Sequence, residues 1–405
     1  MIAFGLEEDQ QLIVTSVKDF ARAELRERTR QLESGGVPAE LHAKYHEMGL
    51  GGMSYPESLG GQGLGPLMTV LAEEELGWGD AGAAVALDGL GLFGRALVVL
   101  GNEAQQRQWL APLLGAKAAG QAGGFAWSEA APSKTPGLST LARKDGEGWL
   151  LNGRKRFVVN GERAGAVVVV AQVEPDAGWN GLGAFVVERG NPGLRGGPRH
   201  ALVGLDAAPV NDLTLEDCRV PAKARLAGPE GRSFLAGLRE VFARGALVAA
   251  ARLVGVARAG YEYALEYAQA RKAFGKPIGH FQAIAFLLSD MAMDVDSARW
   301  LAWRAAWRIE KRGIDKAHRD VAMASAQAAD VAKRVANQAV QVLGGAGFVR
   351  DHPAEKWMRD ASALALMAGT VEQANAVVAA ELLGSDEAAD VADVLPGAGI
   401  QAVLT

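Results

Sequence analysis

The repeat of apolar residues changes its period twice along this chain, and that change restricts the fold more than any other feature of the sequence. Up to Leu114, apolar residues recur at the spacing of amphipathic helices. From about Gly123 the segments are rich in Val, Leu and Phe and are separated by short turns that contain Gly or Asn, which is typical of β-strands. After Gly231 the helical period returns and continues to Leu383. The sequence therefore predicts helices, then a sheet, then a helical bundle.

We expect an α+β multidomain fold with four segments. They are an N-terminal α-helical domain (residues 1–122), a middle antiparallel β domain (123–228), a C-terminal α-helical bundle (229–384) and a flexible acidic tail (385–405). No helix-length pattern separates the strands of the β domain, so we expect a barrel or sandwich of antiparallel strands. The same observation argues against a βαβ dinucleotide-binding fold.

The composition disfavours several partners and locations. Charged residues make up 22% of the chain and the net charge is -5, the balance of an ordinary soluble globular protein. Because there is no cluster of Lys and Arg, neither nucleic acid nor an anionic membrane is an expected partner. The N-terminus is acidic where a signal peptide would be basic, and no uncharged apolar run approaches the ~20 residues of a membrane span. We therefore predict a cytoplasmic protein.

Three features that could carry chemistry are interpreted as structure. His42 and His46 have the i, i+4 spacing of a helical metal pair, but no third ligand pattern is nearby, so we expect a solvated helix face and no metal site. The glycine-rich stretch Tyr55–Gly63 has no preceding strand and no following Gly-Lys-Ser/Thr, which favours a turn over a phosphate-binding loop. Cys218 has no partner motif, and there is no Gly-x-Ser-x-Gly sequence, so a hydrolase has little support.

Three stretches match motifs of one flavoprotein family. They are Arg271–Pro277 (Arg-Lys-Ala-Phe-Gly-Lys-Pro), Gln341–Phe348 (Gln-Val-Leu-Gly-Gly-Ala-Gly-Phe) and Ala365–Gln373 (Ala-Leu-Met-Ala-Gly-Thr-Val-Glu-Gln). The chain resembles the acyl-CoA dehydrogenase family over nearly its whole length. The resemblance implies the helix, sheet, helix fold and an FAD-dependent α,β-oxidation of an acyl thioester in fatty acid metabolism. The implied partners are a thioester of CoA or of a carrier protein as substrate, and an electron-acceptor flavoprotein.

The resemblance also implies that FAD lies between two subunits, so the chain should form a dimer or tetramer, with itself or with a homologous subunit. One residue set belongs to the neighbour's side of that cofactor. In it Arg271 would pair with the diphosphate, and two glycines would let the backbone approach the nucleotide. The set consists of Arg271, Phe274, Gln282, Gln341, Gly344 and Gly345. Each alone could be a helix surface or helix end, but their joint spacing favours a binding site.

The set that would hold the flavin ring departs from the family pattern. Where the family has Thr-Glu-Pro-x-Ala-Gly-Ser-Asp, this chain has Ser128–Thr135, which keeps only the hydroxyl and the acid. Where the family has Lys-x-Trp-Ile-Thr-Asn-Gly, this chain has Phe157 for the Trp and Val159 for the Thr whose hydroxyl faces flavin N5. Thr370 and Glu372, in the last motif, complete the implied cofactor residues.

The catalytic base of the family is missing. The family loop reads Tyr-Glu-Gly-Thr and its Glu removes the α-proton, whereas Ala368 stands before Gly369 here. A positioned base contributes ~10²- to 10⁴-fold to a rate. The backbone N–H of residue 368 remains as a donor to the thioester carbonyl. A second base position used in the family matches Gly245, and Glu240 is about one turn away from it.

Three functions are therefore compatible with the sequence. The chain could be a base-poor acyl-CoA dehydrogenase subunit, weakly active alone or completed by a homologous subunit that carries the Glu. It could be a flavin-dependent monooxygenase of the same fold, which needs no such base. It could also be a non-catalytic flavoprotein homologue, but a scaffold would not need Arg271 or the two glycines at 344 and 345.

Overall fold

A computed structural model describes residues 5–115, 118–129, 138–367 and 369–383. The predicted tail, residues 385–405, lies outside these ranges. In the described residues, the first part of the chain forms seven α-helices: α1 (Glu8–Phe20), α2 (Thr29–Gly35), α3 (Ala39–Glu47), α4 (Pro66–Gly79), α5 (Ala81–Leu87), α6 (Gly91–Leu100) and α7 (Glu103–Trp109). The last part forms helices α8 (Phe234–Ala270), α9 (Gln282–Arg312), α10 (His318–Leu343), α11 (Ala354–Met367) and α12 (Val371–Leu383).

Between these helical parts lies one curled sheet. Its strands are β1 (Gly123–Ala126), β2 (Leu141–Asp145), β3 (Gly148–Val159), β4 (Ala166–Gln172), β5 (Leu182–Glu188), β6 (Leu194–Arg199) and β7 (Val210–Pro221). A short hairpin of β8 (Lys272–Ala273) and β9 (Lys276–Pro277) follows α8. The predicted order of helices, sheet and helical bundle is confirmed. The exact domain limits after residues 122, 228 and 384 stay a prediction.

The sheet is mostly antiparallel, as predicted, but β4 is an exception. It pairs antiparallel with β5 along one edge, whereas its other edge pairs parallel with β1 and, at one residue, with β2. Strands β2 and β3 separate β1 from β4 in the sequence, and this long connection lets β1 and β4 run in the same direction. Every residue of β4 is buried, so the strand forms the centre of the sheet.

Local signals in the sequence set several helix ends. Pro66 is the first residue of α4, where its missing N–H has no consequence. The side chain of Asp80 accepts a hydrogen bond of 2.9 Å from the N–H of Ala83 and caps α5. Asn102 and Gln105 exchange side-chain to backbone hydrogen bonds of 2.9 and 3.0 Å at the start of α7, which is a capping box.

Helices α4 and α8 touch backbone to backbone at two glycines. A Cβ atom on Gly77 would lie closer than 3.0 Å to the backbone of Arg252. A Cβ atom on Gly255 would lie equally close to the backbone of Glu74 and Trp78. Only glycine permits this approach. The two helices therefore cross at a distance and position that these glycines determine.

Buried ion pairs join the same two helices. Consecutive carboxylates on α4 meet arginines on α8: Arg252 donates to Glu73 through Nε (2.6 Å) and Nη2 (3.0 Å), and Arg258 donates to Glu75 through both Nη atoms (2.8 and 2.6 Å). Arg258 also lies 3.2 Å from Glu74. Removing one member of such a pair leaves an uncompensated buried charge, so each pair constrains the helix register.

Within the described residues, no single helix combines the length and the apolar composition that crossing a membrane requires. Two bent helix pairs, α5 with α6 and α11 with α12, pass that test only when each pair is taken together.

The glycine contact between α4 and α8 predicts the effect of one substitution. Gly255→Ala should destabilise the protein by ~1 to 3 kcal/mol or more, because the new methyl group meets backbone atoms that cannot move away cheaply. The melting temperature and the urea midpoint would measure this loss. Gly260→Ala on the same helix is the matched control: its methyl group would be 3.5 Å from Ala339, an ordinary contact, so it should be neutral or stabilising by up to ~1 kcal/mol. Equal behaviour of the two variants would contradict the close crossing.

Candidate active site

A cavity of about 160 Å³ lies between α6, α8, the sheet and the end of α11. Its lining is mainly apolar, with Leu92, Phe125, Phe242 and Val248 among the residues around it. Three of the predicted ring-binding residues also line it: Ser128, Phe157 and Val159. The structure thus gathers these residues around one apolar cavity, although they come from different strands and loops.

The strand β3 carries an irregularity where it meets the cavity. Its register with β7 shifts between Lys155 and Val158, so Arg156 and Phe157 bulge out of the ladder. Asp212 on β7 holds the bulge: it accepts a hydrogen bond from the N–H of Phe157 (3.2 Å) and lies 3.4 Å from Arg156. Phe157 has a φ of 54°, which is a strained conformation for an aromatic residue. The bulge directs the side chain of Phe157 toward the cavity.

A buried ion pair fixes the loop that follows β1. Lys155 Nζ lies 2.7 Å from Glu129 Oε1 and donates to the carbonyl of Trp127 (3.1 Å). Glu129 also accepts the N–H groups of Ser139 (2.6 Å) and Thr140 (3.0 Å). Burial raises the pKa of Glu129. The charge and the hydrogen bond of Lys155 outweigh this effect and bring the pKa of Glu129 down to about 2. Burial lowers the pKa of Lys155 to about 8, so both groups are charged at neutral pH.

Two buried polar atoms on the cavity wall have no hydrogen-bond partner among the described residues. They are Nε1 of Trp127 and Oδ1 of Asn160. A buried polar atom without a partner carries a free-energy penalty, which a ligand with complementary groups would remove. The cavity therefore fits a ligand that is largely apolar and has a few polar atoms, as a flavin ring with an acyl chain would be.

Three charged residues, Asp88, Arg95 and Arg252, form the part of the cavity wall around α6 and α8. Arg252 bridges Glu73 to Asp88, with its Nη2 atom 3.0 Å from Asp88. Arg95 Nη1 lies 3.6 Å from the same carboxylate and donates to the carbonyl of Gly91 (2.5 Å). Burial raises the pKa of Asp88, but the charges of Arg95 and Arg252 hold it below its ordinary value. Asp88 is therefore an ionised but well-paired carboxylate.

The loop with the missing base is only partly described. Position 368, where Ala368 replaces the family Glu, lies outside the described residues. Before it, Leu366 and Met367 line the cavity. After it, Gly369 has a φ of 92°, which a residue with a side chain rarely adopts. The loop therefore ends α11 at the cavity.

Thr370 and Glu372 belong to the start of α12 rather than to the cavity wall. Thr370 caps the helix by exchanging hydrogen bonds with Gln373, 3.1 and 3.2 Å long. Glu372 is exposed, and neither it nor Thr370 is among the residues that line the cavity. Their assignment to the cofactor stays a prediction.

No carboxylate among the described cavity residues is free to act as a base. Asp88 is the one carboxylate that lines the cavity there, and two arginines hold it. Gly245, at the second base position of the family, does line the cavity. Glu240 does not: it pairs with Arg232 (2.8 Å) and Arg244 (2.7 Å).

A separate surface pocket collects part of the second predicted set. Arg271, Gly344 and Gly345 line it together with Tyr267 and His352. The side chain of Arg271 makes no hydrogen bond or ion pair with any described residue. A Cβ atom on Gly345 would meet nothing within 4 Å, so nothing described in the chain itself requires glycine there. An unpaired guanidinium beside an open backbone fits a diphosphate.

The remaining members of that set surround this pocket. Gln341 is exposed on the last turn of α10, and Gln282 is exposed at the first residue of α9. Phe274 lies at the tip of the β8–β9 hairpin, where its φ of 50° and the 83° of Gly275 give the mirror-image turn of a two-residue hairpin loop. The ring of Phe274 is 95% exposed. The strained backbone and the exposed phenyl ring of Phe274 both raise the free energy of the folded chain. Such backbone strain is typical of functional sites.

The cavity and the surface pocket are distinct places on the chain. They share no lining residue. Along α8, Arg252 is the last cavity residue and Tyr267 the first pocket residue, and these 15 residues span ~22 Å of helix.

The two histidines correct one prediction. His42 and His46 do not form a solvated face: both are buried, because α3 also packs its neighbours Leu41 and Tyr45 against the core. Burial lowers the pKa of His42 to about 4 and also lowers that of His46. In the described part of the chain, no group of three or more His, Cys, Asp or Glu residues is arranged to hold a metal ion.

Sequence reasoning did not find the charged residues of the cavity wall. Asp88 and Arg95 lie in a long apolar stretch, and Arg252 lies in the apolar middle of α8. A charge that interrupts an otherwise apolar helix is the signal that could have revealed them, since such residues are buried only when paired.

The chain matches known proteins along nearly its whole length. The three models of the acyl-CoA dehydrogenase family match it in order: the N-terminal domain at residues 7–117, the middle domain at 124–218 and the C-terminal domain at 236–383. The mitochondrial short-chain specific acyl-CoA dehydrogenase of Rattus norvegicus is 35% identical over 384 residues, which is 94% of this chain and 91% of that protein.

Solved structures agree with this match. The butyryl-CoA dehydrogenase of Megasphaera elsdenii has a TM-score of 0.86 and 32% identity, over 94% of this chain and 100% of that chain. The structure of PigA with FAD and proline has a TM-score of 0.85 and 27% identity, over 95% of this chain and 99% of that chain. The chain belongs to the acyl-CoA dehydrogenase family of oxidoreductases, whose members bind FAD.

Proposed function

We propose that this protein oxidises an acyl-CoA thioester between its α and β carbons, with FAD as the cofactor. The observation that carries this proposal is the apolar cavity, which brings the ring-side residues of β3, the middle of α8 and the end of α11 to one place. The acyl chain lies in this cavity. When bound, FAD supplies the acceptor for the hydride that leaves the β-carbon.

Residues of the chain bind the flavin ring, exclude water and polarise the thioester carbonyl. Ser128, Phe157 and Val159 hold the flavin ring, and the buried ion pair of Lys155 and Glu129 keeps their supporting loop in place. The aromatic and aliphatic wall excludes water from the acyl chain. The resemblance to the family assigns to the backbone N–H at position 368 a hydrogen bond to the thioester carbonyl, which would acidify the α-proton. CoA is favoured as the carrier by the named relatives, and the electron acceptor predicted from the family is a second flavoprotein.

The protein works as an oligomer in which one subunit completes the cofactor site of its neighbour. Two observations support this arrangement: the pocket of Arg271 does not adjoin the cavity of the same chain, and α9 carries an apolar exposed stripe. The stripe has one residue every two turns: Phe286, Met293, Trp300 and Trp307, at intervals of seven. Exposed apolar residues that align on one helix face are typical of a subunit interface. A homologous subunit that carries the missing Glu would fit the same surface.

The chemistry is slow in this chain alone, because no described group near the cavity can accept the α-proton. Asp88 is ionised, but the pKa of this carboxylate is lowered by Arg95 and Arg252 against the effect of burial, which makes it a weak base. The cytoplasmic location inferred from the sequence stays a prediction.

Substitution of Arg271 tests the shared cofactor site. Arg271→Ala should reduce the affinity for FAD by ~10- to 100-fold, because a diphosphate would lose a charge-assisted hydrogen-bond partner. The flavin-to-protein ratio after gel filtration and the dissociation constant for FAD would measure it. Lys272→Ala, which removes the exposed cation next in sequence, is the control and should leave both values unchanged. A monomer that binds FAD stoichiometrically would contradict the shared site.

A base placed at position 368 tests the chemistry. Ala368→Glu should accelerate flavin reduction by a saturated acyl-CoA, up to the ~10²- to 10⁴-fold that a positioned base provides. Ala368→Gln is the matched control, because it has the same shape without a basic carboxylate and should stay as slow as the original protein. Anaerobic stopped-flow absorbance with several acyl lengths would report the rates. If the original protein is already reduced at ~10 s⁻¹, another residue serves as the base.

A further inference from the structure

A second cavity adjoins the first one at Arg95. Arg95 and Val248 line both this cavity and a second one of about 90 Å³, so the two cavities are neighbours on either side of these residues. Its lining differs in charge: it contains the guanidinium groups of Arg95 and Arg244, and no carboxylate is among its described lining residues. The acyl cavity thus adjoins a space that is lined by two cations.

Arg95 has hydrogen-bonding capacity that the protein does not use. Arg95 is buried, with an exposed fraction of 8%. Its Nη1 atom donates to the carbonyl of Gly91 and lies 3.6 Å from Asp88. Its Nε and Nη2 atoms make no hydrogen bond with any described residue. A guanidinium has five N–H donors, so a buried one with most of them free is suited to an external acceptor.

Tyr55 presents a second unused group at the same place. Its hydroxyl is buried and has no hydrogen-bond partner among the described residues. Tyr55 lines the smaller cavity with Arg95, and a Cβ atom on Gly94, the residue before Arg95, would overlap its hydroxyl. Two independent buried donors therefore border one small space.

The neighbouring charges leave this space available to an anion. Asp88 is the carboxylate closest to Arg95, but it is already held by Arg252 (3.0 Å) and by the N–H of Gly91 (2.9 Å). It lines the larger cavity and not the smaller one. Arg244 is paired with Glu240, which lines neither. A carboxylate has two oxygens with about four acceptor positions, which matches the free donors of Arg95 and Tyr55.

We infer that the acyl group of the substrate ends in a carboxylate that binds Arg95 and the Tyr55 hydroxyl, so the substrates are mono-CoA thioesters of short dicarboxylic acids. The inference rests on the proposed function, since it places the thioester in the same cavity. An unsubstituted alkyl chain would leave these buried donors without partners, and a site built in this way discriminates strongly against such a chain.

Equilibrium binding tests the inference without requiring turnover. Calorimetric titration of the purified holoprotein would compare CoA thioesters of equal carbon number: succinyl with butyryl, glutaryl with pentanoyl and adipyl with hexanoyl. At least one dicarboxylic thioester should bind about 10- to 100-fold more tightly than its partner. Arg95→Met should abolish that ratio, because only the dicarboxylic thioester loses a partner for its terminal carboxylate.

Further variants distinguish the possible results. Arg107→Met removes an exposed arginine on α7 that lines neither cavity, and it should keep the preference. Tyr55→Phe keeps the volume and should reduce the preference, which provides a test even if Arg95→Met does not fold. Tighter binding of the alkyl thioester in all three pairs, or an equal loss of both thioesters in Arg95→Met, would overturn the inference alone. Failure of every thioester to bind would overturn the proposed function as well.

Discussion

The direct contact of α4 with α8 at Gly77 and Gly255 is the constraint on which the rest of the site depends. It brings the carboxylates of α4 within hydrogen-bonding distance of the arginines of α8. One of these arginines, Arg252, extends to Asp88 and so connects the crossing to the wall of the cavity. A small displacement of α8 would separate buried charges, which is energetically unfavourable. The glycines thereby hold the cavity in one shape.

The periodicity of the sequence was sufficient to predict the order of helices and strands, because it follows from which face of each element is buried. It could not predict the parallel pairing of β1 with β4, since pairing of distant strands leaves no local signal. It also misjudged His42 and His46. Each directly follows an apolar residue of α3, Leu41 or Tyr45, and is only about 100° further around the helix. Whether such a position is buried depends on which other segments of the same chain pack against α3.

The candidate site was predictable to the extent that family motifs mark it. Those motifs led to Phe157, Phe274 and Arg271, and two of the three, Phe157 and Phe274, have a positive φ that the sequence alone does not reveal. The residues that we propose to select the substrate have no such motif. Arg95 becomes distinctive only when its free donors, its burial and the adjoining cavity are known together. From the sequence, a single charged residue in an apolar segment does not reveal which cavity its side chain faces.

The exposed hairpin tip at Phe274 has a consequence for how the protein keeps its cofactor. In the proposed oligomer, residues of a neighbouring subunit complete the cofactor site, so assembly and cofactor retention would be linked equilibria. Dilution that dissociates the subunits would release FAD from protein that is still folded. Each released subunit would also expose the phenyl ring of Phe274 to water. Cofactor content should therefore vary with protein concentration, and assays at nanomolar protein would underestimate the activity that the same chain has at cellular abundance.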